Sequence, residues 1–149
     1  DYWGITNQFI LWSSISGIYS AEQKRYAMNA FLVNGIVTYS IKFATMRRRP
    51  DGSNKRSYPS GHTSNSFLGA TIIQNIYGSD IGIPAYLLAS ITGMSRINDN
   101  KHYLSDVIFG AALGVGIGKA FNHLYEQEIM KIDESIPRTS FKLNYSWTF

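Results

Sequence analysis

The chain has 149 residues, with 14 Lys and Arg against 10 Asp and Glu, three His and no Cys. That length holds one ordinary domain, and the lack of cysteine excludes a disulfide scaffold, a cysteine zinc site and a thiol nucleophile. At 44% hydrophobic and 16% charged it is not a disordered chain; its net charge of +4 falls short of a nucleic-acid tail but suits an anionic substrate or an anionic membrane surface.

In chain order, Thr6 or Asn7 caps a short first helix through Tyr19, with an apolar stripe of Phe9, Ile10, Trp12, Ile15 and Ile18. Residues 22–46 read as a long second helix whose apolar set is Ala27, Met28, Phe31, Leu32, Gly35, Ile36, Tyr39 and Phe43. Residues 50–54 form a loop by composition. A third helix spans about 60–77, and a fourth runs from Pro84, suited to a first turn, to about Arg96. After the polar loop Asn98-Asp99-Asn100, a fifth helix covers about 103–128. Its Gly110, Gly114 and Gly118 recur every four residues and leave a side-chain-free stripe for a close helix contact, here weighted towards soluble packing.

Residues 138–149 differ: Phe141, Leu143, Tyr145, Trp147 and Phe149 alternate with polar residues. Period two is a strand signal, but a lone strand needs a partner. The favoured reading is an extended aromatic tail, packed on the helical domain of residues 1–137 or paired with a second copy, so a homo-oligomer stays open. No stretch meets the usual criterion for a membrane span, about 18 predominantly apolar residues. The charge-free segments 2–21 and 26–41 are diluted by Asn, Gln, Ser and Thr. No signal peptide is legible ahead of the first apolar run.

Three short segments carry chemistry: Lys42, six residues, then Arg49-Pro50; Pro59-Ser60-Gly61-His62; and Ser95-Arg96, five residues, His102, three residues, Asp106. Each alone has a bland reading. Lys42 and Arg49 can be solvated cations, and Arg47-Arg48-Arg49 an ordinary basic helix end. Ser60 can be an N-cap and His62 a first-turn residue. His102 and Asp106, four apart, can be a helix-surface ion pair. Together they supply three cations, amide donors at a helix N-terminus, two imidazoles and a carboxylate. Phosphoryl transfer asks for that set.

The full set resembles the type 2 phosphatidic acid phosphatase superfamily, which also contains the bacterial class A acid phosphatases and the vanadium-dependent haloperoxidases. The resemblance implies an all-α, single-domain bundle of about five or six helices with the site at one end, followed here by the extended C-terminal tail. It implies His102 as nucleophile forming a phosphohistidine, and Asp106 as the carboxylate that orients it. It implies His62 as acid to the leaving group, and Lys42, Arg49, Ser60, Gly61 and Arg96 as phosphate ligands. No metal and no cofactor are implied. The pH profile should be bell-shaped, with His102 giving the acidic limb and His62 the basic one. Only eight residues separate Pro50 from Pro59, too few for an inserted helix or a large lid.

The implied substrate is a phosphate monoester or diphosphate, and the aromatic-rich ends favour a lipid-linked one with peripheral membrane contact. The implied location is periplasmic or envelope-associated. A soluble non-specific acid phosphatase, a vanadate-dependent haloperoxidase and an inactive phosphate-binding protein remain as alternatives.

Overall fold

Ser20 starts the first helix. Its Oγ accepts from the Gln23 amide at 3.2 Å, and Gln23 Oε1 accepts from the Ser20 amide at 2.9 Å, a reciprocal capping box. The computed structural model describes residues 20–135, and there the chain forms four helices: α1 (Ala21–Thr45), α2 (Gly61–Tyr77), α3 (Ser79–Asn98) and α4 (Leu104–Ser135). α1 stops where Met46 turns left-handed, at φ 44°, and returns its amide to the Lys42 carbonyl. α2 is capped by Ser60 and closes at Gly78, whose φ of 79° suits glycine and sends the chain straight into α3.

The chain is all-α over this range, with no strand among the described residues. The helix expected at 7–19 and the period-two tail at 138–149 lie outside the described residues. Two boundaries moved. α3 begins at Ser79, so Pro84 sits inside the helix, where it forgoes one backbone hydrogen bond, and not in the first turn. α4 continues past residue 128 to Ser135.

α2 is the hub, packed mainly against α3 and α4, with α1 against both α2 and α4. Tyr26 and Ala30 of α1 meet Leu68 and Ile72 of α2 in the apolar core, flanked by Phe31, Ile117, Phe121 and Tyr125. The glycine stripe of α4 faces α2. A Cβ on Gly110 would stand 2.6 Å from the Ser60 carbonyl oxygen, and one on Gly114 would overlap the Ser64 carbonyl and crowd the Leu68 amide at 2.8 Å. Because the obstruction is backbone, it cannot rotate away. Gly114→Ala is therefore expected to lower stability by about 3 kcal/mol. Gly116→Ala, whose Cβ meets nothing within 4 Å, should be neutral or slightly stabilising. Thermal unfolding of both variants in detergent checks this, and equal melting temperatures would contradict the packing.

The orientation of α1 reverses the ordinary amphipathic pattern. Its buried positions are Tyr26, Ala30, Asn34, Thr38 and Lys42, while Met28, Leu32, Ile36 and Phe43 are 58–68% exposed. Asn34 is fully buried and donates from Nδ2 to Asn65 Oδ1 at 2.7 Å, while its own Oδ1 accepts from Ser64 Oγ at 2.7 Å. On α3, Ile83, Leu87, Leu88, Ile91 and Met94 also point outward. A polar interior under an apolar exterior is the arrangement expected where the surrounding medium is hydrocarbon.

The expectation that no stretch could span a membrane is corrected by α4. Its segment Leu104–Glu128, 25 residues, is long and apolar enough to cross, and only 28% of its apolar window is buried. Asp106, the acidic residue near its start, is wholly buried. It therefore adds no charge to the outer surface, which a count along the sequence cannot show.

Candidate active site

All the motif residues gather at one end of the bundle: the end of α1, the 46–60 loop, the start of α2, the end of α3, the 99–103 loop and the start of α4. Backbone bonds stitch these pieces together. The Asp51 amide donates to the Asn100 carbonyl (3.0 Å), the Ser57 amide to the Arg47 carbonyl (2.9 Å) and the Ser60 amide to the Asp106 carbonyl (2.9 Å). The Lys101 and His102 amides both donate to the Arg96 carbonyl, at 3.1 and 3.2 Å. Lys101 Nζ also donates to Asp51 Oδ2 at 2.6 Å, tying the two loops from outside.

His102 is 2% exposed and sits in the 99–103 loop, before α4 begins, so it is not stacked over Asp106 on one helix face. Its Nδ1 lies 2.6 Å from the Ser57 carbonyl oxygen. A carbonyl only accepts, so the proton is on Nδ1, and Nε2 keeps its lone pair. Burial, reinforced by the charges of Lys42 and Arg49, lowers the imidazole pKa to about 4, against the opposing pull of the Ser57 hydrogen bond and of Asp106.

Asp106 does not take the position expected of it. The gap from His102 Nδ1 to Asp106 Oδ2 is 3.7 Å, an electrostatic contact but not a hydrogen bond. Its carboxylate is filled by other donors: Arg47 Nη1 at 2.7 Å on Oδ1, and the Ser57 hydroxyl at 2.5 Å and the Tyr103 amide at 2.9 Å on Oδ2. It accepts the Tyr103 amide as a cap would, and it pins the 46–60 loop to the start of α4. The direct partner of the His102 ring is the Ser57 backbone. The sequence does not single out Ser57 or Arg47: Arg47 reads there as part of a basic helix end, and a backbone carbonyl leaves no mark on residue type.

The remaining motif residues are placed as follows. Lys42 is buried and its Nζ donates to the Arg56 carbonyl at 2.9 Å and to the Pro59 carbonyl, which brings its charge beside the start of α2. Arg49 directs its charge at both histidines. Arg96 pairs with Asp99 at 2.9 Å and donates to Ser95 Oγ at 3.2 Å. Ser60 is fully buried as the N-cap of α2, its hydroxyl 2.8 Å from that of Thr63. At Gly61 a Cβ would make only ordinary contact with Thr38 and Lys42 of α1. His62 is half-buried in the first turn of α2, facing the charges of Arg96, Arg49 and Lys42. Among the described residues, no group of three or more His, Cys, Asp or Glu is placed to hold a metal ion.

Two imidazoles facing the charges of Lys42 and Arg49, beside the N-terminus of α2, form a cationic cluster of the kind that attracts a tetrahedral anion. The family model of the PAP2 superfamily matches residues 23–130. The chain belongs to the PAP2 superfamily. It is 43% identical to the lipid A 1-phosphatase of Porphyromonas gingivalis over 96 residues, covering 62% of this chain and 21% of that protein. It is 31% identical to lipid phosphate phosphatase 1 of Arabidopsis thaliana over 127 residues, covering 57% of this chain and 39% of that protein. The chain thus spans well under half the length of these two curated relatives. The crystal structure of Aquifex aeolicus LpxE superposes with a TM-score of 0.69 at 26% identity, covering 80% of this PAP2 chain and 79% of that one.

Proposed function

We propose that this PAP2 chain is the catalytic core of a membrane-embedded lipid phosphate phosphatase that works without metal through a phosphohistidine. The observation that carries this reading is His102: a buried imidazole, protonated on Nδ1 against the Ser57 carbonyl, whose Nε2 lone pair is free at the cationic end of the bundle. Nε2 attacks phosphorus, and the bond to the leaving oxygen breaks as His62 gives it a proton. Burial and the facing cations lower the His62 pKa to about 4, so it is the bound phosphate dianion that charges it for this step. Water, deprotonated by His62, then displaces the phosphoryl group and restores both histidines. Lys42, Arg49 and Arg96, with Ser60 and the Gly61 amide, hold the nonbridging oxygens and offset their growing charge.

The outward apolar faces of α1, α3 and α4 support a lipid-linked substrate and an envelope membrane location, as do the relatives that act on lipid A and lipid phosphates. Exposure of this kind weighs against the soluble acid phosphatase reading. Following the likeness to a lipid A 1-phosphatase, a lipid A-type phosphate is the first substrate to try.

The test is phosphate release in detergent, with EDTA present, from a lipid A phosphate, phosphatidic acid, an isoprenyl diphosphate and a water-soluble monoester. EDTA-resistant turnover of at least one lipid phosphate, faster than of the soluble ester, is expected. Activity that needs a divalent ion, or none on any ester, would sink the reading. The acidic limb should follow His102. Protonation of Nε2 removes the lone pair, so kcat/KM should drop as pH falls below about 4, once the second ionisation of the substrate, near about 6, is allowed for. A limb near the ordinary histidine value, about 6.5, would contradict the burial and the facing cations.

A further inference from the structure

Arg47 follows α1 and reaches both sides of His102. Its Nη1 donates to Asp106 Oδ1 at 2.7 Å and to Ser105 Oγ at 2.8 Å. Its guanidinium lies 4.3 Å over the ring of Tyr103, the residue after His102. Its backbone carbonyl accepts the Ser57 amide at 2.9 Å. Ser57 in turn takes the His102 ring on its carbonyl and gives its hydroxyl to Asp106. Arg47 therefore holds the strand of loop that bears the histidine's acceptor, the carboxylate that locks that loop, and the aromatic neighbour of the histidine itself.

We propose that Arg47 is a positioning residue that fixes the His102 ring for attack through Asp106 and Ser57, and that it is not a phosphate ligand. Its Nη1 is engaged by Ser105 and Asp106 of α4, and its charge is not among those that bear on His62 or His102, unlike the charges of Arg49 and Lys42. The guanidinium is suited to this. It can serve Asp106 and Ser105 together while stacking on Tyr103, which an ammonium cannot do. Nucleophile placement is sensitive: a misplacement of about 1 Å costs on the order of 10²-fold in rate.

The charged groups facing His102 are Lys42 from α1, Arg49 from the 46–60 loop and Asp106 from α4. Removing the Arg47 charge leaves the Asp106 carboxylate less neutralised beside the imidazole. The His102 acidic limb should then move to higher pH.

The kinetic arm of the test rests on the phosphatase reading; a spectroscopic arm does not. In the full chain in detergent, Arg47→Met should lower kcat by about 10- to 100-fold. KM and the inhibition constant of vanadate should stay within about threefold, and the acidic limb should shift upward by about half a unit or more. Arg47→Lys should recover part of the rate. In ¹⁵N-histidine spectra, the wild type should show His102 as a single Nδ1–H tautomer, and Arg47→Met a mixture. A rise in KM and in the vanadate constant with kcat unchanged would make Arg47 a phosphate ligand and overturn the proposal. Unchanged kcat, pH profile and tautomer, with only a lower melting temperature, would reduce Arg47 to a structural tie and overturn it equally. If Arg47→Met does not fold, Arg47→Lys carries the same readouts, with a smaller loss of rate. A wild type without phosphatase activity would fail the functional reading alone, since the tautomer comparison still decides the role of Arg47.

Discussion

His102→Ala should lose at least about 10⁴-fold in phosphate release and still bind vanadate. The loss follows from the tautomer. With Nδ1–H donated to the Ser57 carbonyl, the Nε2 lone pair is the only nucleophilic function His102 brings. Alanine removes it and leaves the phosphate-holding groups in place. Lys42 stays anchored on the Arg56 and Pro59 carbonyls, and Arg96 on Asp99 and Ser95. The variant also buries an unpaired Ser57 carbonyl, at a cost of about 1–3 kcal/mol, so its folding should be checked before its kinetics are read. Single-turnover assays with a vanadate titration separate the two effects. Turnover within tenfold of wild type would mean that another group attacks phosphorus.

The second large effect is expected at Asp106, and it differs from what the sequence alone suggests. By the family resemblance Asp106 orients His102, so Asp106→Asn should cost several orders of magnitude in rate, on the order of 10⁴-fold, and leave the helix intact. In the structure the carboxylate is wholly buried and accepts from Arg47, Ser57 and Tyr103, three donors on two oxygens. An amide has one accepting oxygen, and its NH2 group would face a donor whichever way it turned. It would also strand the Arg47 charge. Breaking a fully buried pair costs about 3–5 kcal/mol; Arg47 is 39% exposed, so solvent takes up part of its charge and the loss here is smaller. Asp106→Asn should therefore lower the melting temperature markedly and reduce the rate together, because the 46–60 loop carries the acceptor for His102. A variant of full stability with a selective loss of rate would restore the direct orienting role. Full stability and full rate would remove Asp106 from the account altogether.

Much of this was legible in the residues. Capping chemistry at Ser60 and the left-handed turn at Gly78 are local, so the course of α2 could be read without tertiary information. The three motif segments were legible because each spacing was unusual in combination. The glycine stripe at 110, 114 and 118 foretold a close contact, and α2 supplied it. The direction of α1 was not legible from its apolar set, because a periodicity near 3.6 marks a face without saying which way that face points. The clue was on the other side of the helix. Asn34, Thr38 and Lys42 repeat every four residues, and those are the positions that turned inward. The membrane-length helix is hard to see in the sequence because its charge-free run, residues 107–118, is short and is bounded by Asp106, which the fold hides, and by Lys119, which it leaves exposed. The acceptor of His102 could not be read at all, because every residue has a carbonyl and only the folded loop selects that of Ser57.

The most direct test of the central claim is to trap the intermediate. Protein reacted briefly with a radiolabelled lipid phosphate and quenched in alkali should carry label that survives base and is lost in acid, as a phosphoryl group on nitrogen would be. Peptide mapping should place it on His102, and His102→Ala should carry none. Label on a hydroxyl such as Ser60, or robust turnover with no covalent label at any time point, would contradict the account.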